Sequence, residues 1–341
     1  MQAAAFYPRR RGMKAACALL ALLLVPATRA QAPLTAFALP GNHAALVAAA
    51  PRATPDPPPA VAGLRTGTFH GIAAWLVHTP QASAAISVVG GQLLSFVPAG
   101  GQDVLWLSPR SALPPAPIRG GTPVCWPYFG KLGQAGTMPS HGLVRTLAWT
   151  LRDARGEADG TIVLTLAPPA LAGVPLRLTM TLRIGRSLSQ TLVTENVGDQ
   201  PVVFTQALHN YFRVHDVREV SVTGLDGLTY LDKKDAGRAH AQHGHWQLPP
   251  SGYSDRIYTH AGGPYMLHDP TLGRDIRITT RGSRSTVVWN AGEQAARRIA
   301  DIGEGWRHYL SVETTNVAPD AIALQPGQQH TLAQVIEIDS R

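Results

Sequence analysis

From about Thr66 to the C-terminus, apolar residues recur at every second position in short runs broken by Gly, Pro, Asn and Asp. A period of two is the mark of a strand with one buried face. The runs Ala84–Val89, Leu93–Val97, Thr161–Leu166, Leu176–Ile184, Ser189–Val193, Val202–Leu208, Thr286–Asn290, Tyr309–Glu313 and Thr331–Ile338 all read as strands. Asn196–Pro201 reads as a hairpin connection between two of them. No segment carries a long amphipathic helical repeat, and no unit recurs at a fixed period. This pattern predicts an all-β, antiparallel sandwich built as one large domain over 66–341, rather than a propeller.

The first 65 residues follow other rules. Arg9, Arg10, Arg11 and Lys14 precede the apolar run Ala15–Val25, and Pro26–Ala30 ends it in small residues. A basic region, a short apolar stretch and a small-residue exit describe a secretory signal peptide over 1–30, with cleavage expected after Ala30. The apolar run is too short to span a bilayer comfortably. Met13 is an alternative start that would give a more compact signal. Residues 31–65, with Thr54–Ala60 as their clearest Pro-rich piece, read as an extended linker. A periplasmic or secreted protein is expected.

Charge then changes the picture of partners. The chain has a formal charge of +8, and loss of the signal removes five basic residues and no acidic ones, leaving about +3. The remaining charges are dispersed, which argues against nucleic acid as a partner. After cleavage only Cys125 remains, so no intramolecular disulfide is expected, and its apolar neighbours suit a small buried side chain. Nothing marks an interface, and a monomer without membrane attachment is expected.

Candidate chemistry concentrates in three places. Ile118–Gly130 and Met138–Arg145 are dense in glycine and proline, fit neither helix nor regular strand, and display Arg119, His141 and Arg145. A rigid irregular segment with guanidinium forks and an imidazole suits a small anionic or polyhydroxylated ligand. In Val203–Phe212, alternation groups Thr205, Ala207, His209 and Tyr211 on one face. In Arg307–Thr315 it groups Tyr309, Ser311 and Glu313, with Leu310 and Val312 turned to the core. Taken singly, His209 could be a satisfied interior histidine and Glu313 an outward-facing carboxylate. The cluster His240, His243 and His245 suggests a metal, but it lies in a polar stretch without cysteine or carboxylate partners and reads as a solvated loop. Of Trp126, Tyr128 and Phe129, two are expected in the core.

Arg119–Gly130, Pro139–Arg145, Leu208–Phe212, Ser254–Tyr258 and Val312–Thr314 occur in the order seen in the hexose-6-phosphate mutarotases, also called glucose-6-phosphate 1-epimerases, of the aldose 1-epimerase superfamily. The chain resembles that family over roughly 66–340, with smaller matches at Val104–Ser108 and Val288–Asn290. The resemblance implies a galactose-mutarotase-like β-supersandwich. It implies His209 as general acid towards the ring oxygen, and Glu313 as the base that takes the proton of the C1 hydroxyl. Arg119 and Arg145 match substrate-binding arginines, Asp255 a substrate-contacting aspartate, and His141 the histidine of a His-Gly pair. Ser140 stands where the family often has glutamine, and its shorter side chain would reach substrate indirectly or through water. Such chemistry needs no metal, nucleotide or covalent intermediate. Two other readings remain open: an exported carbohydrate-binding or glycan-assembly domain without turnover, and an aldose 1-epimerase for a sugar without phosphate. Asp255 could also be a plain turn-stabilising residue.

Overall fold

The computed structural model describes residues 59–340 apart from 132–133 and 135–137. The signal peptide, its cleavage point and most of the linker lie outside the described residues. The first strand, Leu64–Phe69, already begins inside the stretch read as linker.

Two eight-stranded antiparallel sheets make the body of the protein. The back sheet runs in the order Ser221–Thr223, Tyr265–Asp269, Arg274–Arg281, Gln329–Ser340, Leu188–Asn196, Leu176–Ile184, Ile162–Ala167, Thr150–Gly156. The front sheet runs Arg238–Ala241, Thr229–Asp232, Ser254–Thr259, Ser285–Asn290, Tyr309–Asn316, Gln206–Leu208, Val124–Cys125, with Phe212–Arg213 also paired to Tyr309–Asn316. A four-stranded meander over Leu64–Phe69, Ile72–His78, Ala82–Ser87 and Leu93–Pro98 adds a further layer. The observed strands match the period-two runs, with ends shifted by a few residues.

Alternation explains how the sheets meet. Leu176–Ile184 buries Leu176, Leu178, Met180, Leu182 and Ile184 and turns the residues between them outward. Tyr309–Asn316 differs, because all eight of its residues are buried. Leu310 and Val312 join the main core with Leu192, Leu332 and Ile336, as expected from the sequence. The opposite face is covered by a smaller cluster of Cys125, Phe129, Ala207, Ile257, Val287 and Val317. Trp126 and Tyr128 belong to the main core and Phe129 to the smaller cluster, which divides that triplet two to one.

Three sequence expectations need correction. Asn196–Pro201 does not close a hairpin, because Leu188–Asn196 has both edges occupied, by Leu176–Ile184 and by Gln329–Ser340. The chain crosses instead to Val202–Phe204, which pairs with Ile322–Leu324, and the Asn196 amide fixes the crossing by donating to the Gln200 and Leu324 carbonyls at 2.8 and 3.0 Å. Val202–Leu208 is likewise split at Thr205, whose hydroxyl accepts from the Phe129 amide at 2.8 Å and lets the second half join the front sheet. Finally, His240 lies on an edge strand rather than in a loop, and it has a carboxylate partner, Asp235 Oδ2 at 2.9 Å. The three histidines gather no metal site: among the described residues, no group of three or more His, Cys, Asp and Glu side chains is placed to hold an ion.

A polar ladder joins the sheets behind the front face. Gln334 Oε1 accepts from Asn210 Nδ2 and Thr314 Oγ1, both at 2.8 Å, while its Nε2 donates to Asn210 Oδ1 at 2.9 Å and Gln190 Oε1 at 3.3 Å. Buried amides are costly unless every partner is present. The expected result of Gln334→Leu is therefore a loss of about 2–4 kcal/mol in urea unfolding, as the Asn210 amide and Thr314 hydroxyl lose their partner. A loss under about 0.5 kcal/mol would show the ladder to be energetically idle.

Candidate active site

The floor of the site follows from strand register. Asp255 pairs with Trp289, Trp289 with Ser311, Ile257 with Val287 and Val287 with Glu313. Beyond them, Leu208 pairs with Thr314 and Phe212 with Leu310. The two pairings keep one register across the intervening gap, so His209 lies opposite Glu313 and Tyr211 opposite Ser311. Asn210 closes the gap from the core side by donating to the Val312 carbonyl at 3.0 Å. Side chains directly opposite on an antiparallel pair share a face. Asp255, Trp289, Ser311, Glu313, His209 and Tyr211 therefore share one face, at whose margin Tyr211 and Trp289 also pack against the main core.

His209 Nε2 sits 3.4 Å from Glu313 Oε1, and the two side chains are only 10% and 1% exposed. The His209 ring stacks on Tyr211 at 4.9 Å between centroids, with Trp289 edge-on at 6.0 Å. His209 Nδ1 and Glu313 Oε2 have no hydrogen-bond partner among the described residues. Unpaired buried polar atoms are unfavourable unless a ligand uses them. Burial pushes the Glu313 carboxyl well above its ordinary range, with Asp255 adding to the rise and Lys233 and Arg145 opposing it. Burial, reinforced by His141, Arg145 and Arg119, holds the His209 imidazole well below its ordinary value. The two shifts run in opposite directions, so burial disfavours both the doubly protonated and the fully deprotonated pair. A pair sharing one proton can give and take protons in the same step.

The irregular segment supplies the rim. Arg119 donates from Nε to Asp301 Oδ2 at 3.1 Å and from Nη1 to the Tyr211 hydroxyl at 2.8 Å, leaving the rest of its five N–H donors uncommitted by these bonds. Arg145, in the 3-10 turn Val144–Thr146, is near enough to act electrostatically on His141, His209 and Glu313. His141 holds a left-handed backbone at φ 66°, next to Gly142, where any Cβ would collide with the Trp126 carbonyl. This places its ring 5.5 Å from that of His209. Burial and the charges of Arg145, Lys233 and Arg119 push His141 down to about 3, so it is neutral. Its Nδ1 accepts from the Gly130 amide at 3.4 Å, which leaves Nε2–H as a donor.

Asp255 belongs to the strand Ser254–Thr259 rather than to a turn. Its carboxylate meets Lys233 Nζ at 3.2 Å and accepts from the Tyr253 hydroxyl at 3.2 Å. Ser140 is exposed at the turn before His141. Cys125 is fully buried beside the site, and burial pushes its thiol up to about 12, so it acts as a small apolar side chain. The structure thus brings Arg119, His141, Arg145, His209, Asp255 and Glu313 into one neighbourhood, with Ser140 exposed next to His141. Sequence reasoning missed Lys233, Asp301, Tyr253 and the packing role of Trp289. Lys233 stands in the charged run Asp232-Lys-Lys-Asp235, where nothing linear separates it from a solvated charge.

Comparison with known proteins identifies the family and the fold. The family model described as aldose 1-epimerase matches residues 74–337. The chain is 33% identical over 273 residues to the Escherichia coli K12 protein named "putative glucose-6-phosphate 1-epimerase", covering 78% of this chain and 90% of that one. The crystal structure of a "putative mutarotase" from Salmonella typhimurium superposes with a TM-score of 0.76 at 28% identity, covering 84% of this chain and 97% of the other. A galactose mutarotase-like protein from Clostridium acetobutylicum shares the fold, with a TM-score of 0.64 at 12% identity over 82% and 98% of the two chains. The chain belongs to the aldose 1-epimerase family, and it is an isomerase with the galactose-mutarotase-like fold.

Proposed function

We propose that this epimerase interconverts the α and β anomers of a hexose 6-phosphate. The observation that carries the reading is the His209–Glu313 pair, 3.4 Å apart, buried, and surrounded by Arg119, Arg145 and Lys233. Glu313 takes the proton of the C1 hydroxyl while His209 protonates the ring oxygen. The C1–O5 bond breaks with its electron pair going to O5, and C1 becomes the aldehyde carbon. Rotation about C1–C2 and closure with the roles reversed give the other anomer, and no net proton leaves the site. Every reacting group is a side chain of this chain.

The surrounding residues take supporting parts. The spare guanidinium donors of Arg119 and the charge of Arg145 suit an anionic oxygen. The neutral His141 offers a hydrogen bond without adding charge, Asp255 accepts from sugar hydroxyls, and exposed Ser140 reaches the substrate through water. A second reading, an aldose without phosphate, draws on one observation: Asp301 already balances part of the charge on Arg119. The basic and apolar segments ahead of Ala30 support an exported protein. A purely cytosolic product on fractionation would defeat that part.

NMR exchange spectroscopy on α-glucose 6-phosphate and α-galactose tests the activity. His209→Ala and Glu313→Gln are each expected to lower kcat about a thousandfold, as loss of an acid or base does. If neither sugar equilibrates faster than the buffer blank with the unaltered protein, the epimerase reading of this site fails. Arg145→Ala is expected to raise KM for the phosphate ester about tenfold to a hundredfold with little change in kcat, the worth of a charged hydrogen bond. A silent Arg145→Ala together with a preference for galactose would assign the neutral sugar instead.

The pH profile carries a further expectation. Burial disfavours both the doubly protonated pair, which is positive, and the fully deprotonated pair, which is negative. Raising the Glu313 value and lowering that of His209 both favour the neutral, singly protonated pair. The plot of kcat/KM against pH should therefore be a bell with a broad plateau through neutrality. A single sigmoid rising through the ordinary histidine range would contradict a shared proton.

A further inference from the structure

Lys233 follows the strand Thr229–Asp232 and opens the short turn Lys233–Asp235 on one side of the front sheet. Its Nζ lies 3.2 Å from Asp255 Oδ1 and 5.4 Å from the centre of the Phe129 ring. Phe129 follows Val124–Cys125, the strand at the opposite edge of the same sheet. The lysine therefore stands between Asp255 and Phe129. Phe129 in turn lies 4.8 Å from the His141 ring and 6.4 Å from that of His209. The Lys233 side chain remains 44% exposed, so its charge is solvated while it reaches inward.

Every charged or titratable group near Glu313 can be named by its element. His209 and Tyr211 face it from the opposite segment, Cys125 from the edge strand, Asp255 from Ser254–Thr259, Arg145 from its turn and Lys233 from above. Burial keeps Tyr211 and Cys125 protonated and favours the neutral imidazole of His209. Among these groups Asp255 is the standing negative charge, and without compensation it would oppose ionisation of Glu313. Lys233 binds Asp255 directly. It is also the cation that most strongly counters the effect of burial on Glu313, ahead of Arg145.

We propose that Lys233 is a positioning residue of the reaction: held in place by its pairing with Asp255, it supplies the positive charge under which Glu313 can take the C1 hydroxyl proton. The inference rests on the acid–base reading of His209 and Glu313. It goes beyond that reading by giving the site a tuning element on a turn that touches neither reacting side chain. Removing a cation from above the pair makes both its protonated forms more favourable. Both limbs of the pH profile then move to higher pH, which costs activity on the acid side and preserves it on the alkaline side.

The test compares Lys233→Met, Lys233→Gln and Lys233→Arg with Lys234→Met as a neighbouring control, using kcat/KM for whichever of the two sugars the protein turns over. With Lys233→Met or Lys233→Gln, both limbs should move up by about one pH unit, giving about a tenfold loss on the acid limb and recovery on the plateau. Lys233→Arg should restore the original profile, and Lys234→Met should leave it unchanged. A loss by the same factor at every pH would reduce Lys233 to a strut, and an unchanged profile would remove it from the mechanism. Either result overturns the proposal. The carboxyl carbon of Glu313, labelled with carbon-13 and assigned with Glu313→Gln, gives a readout independent of turnover. Its titration midpoint should rise in Lys233→Met and Lys233→Gln, and an unmoved midpoint overturns the inference even if no sugar is turned over. Absence of turnover in the unaltered protein would instead defeat the epimerase reading.

Discussion

The register between the segment 206–213 and the strand Tyr309–Asn316 is the constraint on which the rest depends. One face of that pairing fills the core with Leu208, Leu310 and Val312, and the other presents His209 and Glu313 to each other. A slip of the segment 206–213 by one residue would exchange its faces, turning His209 into the core and Leu208 out of it. Hydrophobic burial therefore fixes the distance between His209 and Glu313. The proposed chemistry inherits its geometry from the packed core.

Burial has an electrostatic consequence as well. The walls that exclude water from Glu313 and His209 raise one acidity constant and lower the other, and this is what makes a carboxyl and an imidazole suitable partners at neutral pH. Left alone, such a pair would resist either net charge. The rim adds cations around the pair and leaves His141 neutral, so that a hydrogen-bond donor is present without further repulsion. Floor and rim thus have separate duties, and they come from separate kinds of structure: regular strands below, glycine-rich turns above.

Much of this was legible in the sequence because period-two alternation reports which residues share a face. Alternation alone grouped Tyr309 with Ser311 and Glu313, and Ala207 with His209 and Tyr211. It could not say that the two groups oppose each other, since register is a long-range property. Arg119, His141 and Arg145 stood out because backbone so dense in glycine and proline has to be held for a reason, and Gly142 shows that reason in its approach to the Trp126 carbonyl. Lys233 was hidden because its partner lies on another strand and its immediate neighbours are ordinary charges. The supposed hairpin at Asn196–Pro201 misled because turn chemistry shows where a chain bends and is silent on which edges remain unpaired. The carboxylate beside His240 was missed for a related reason: Asp235 lies five residues away, across a reversal of the chain.

The ladder formed by Gln190, Gln334, Asn210 and Thr314 carries a consequence for inheritance. Asn210 stands between His209 and Tyr211, so the back of the active site is anchored to a glutamine on the far sheet. Drift on that sheet is thereby coupled to the residue between His209 and Tyr211. The loops bearing Arg119, Arg145 and Lys233 lie outside the ladder. In a lineage built on this plan those loops are free to vary, while selection for folding itself keeps His209 and Glu313 facing each other.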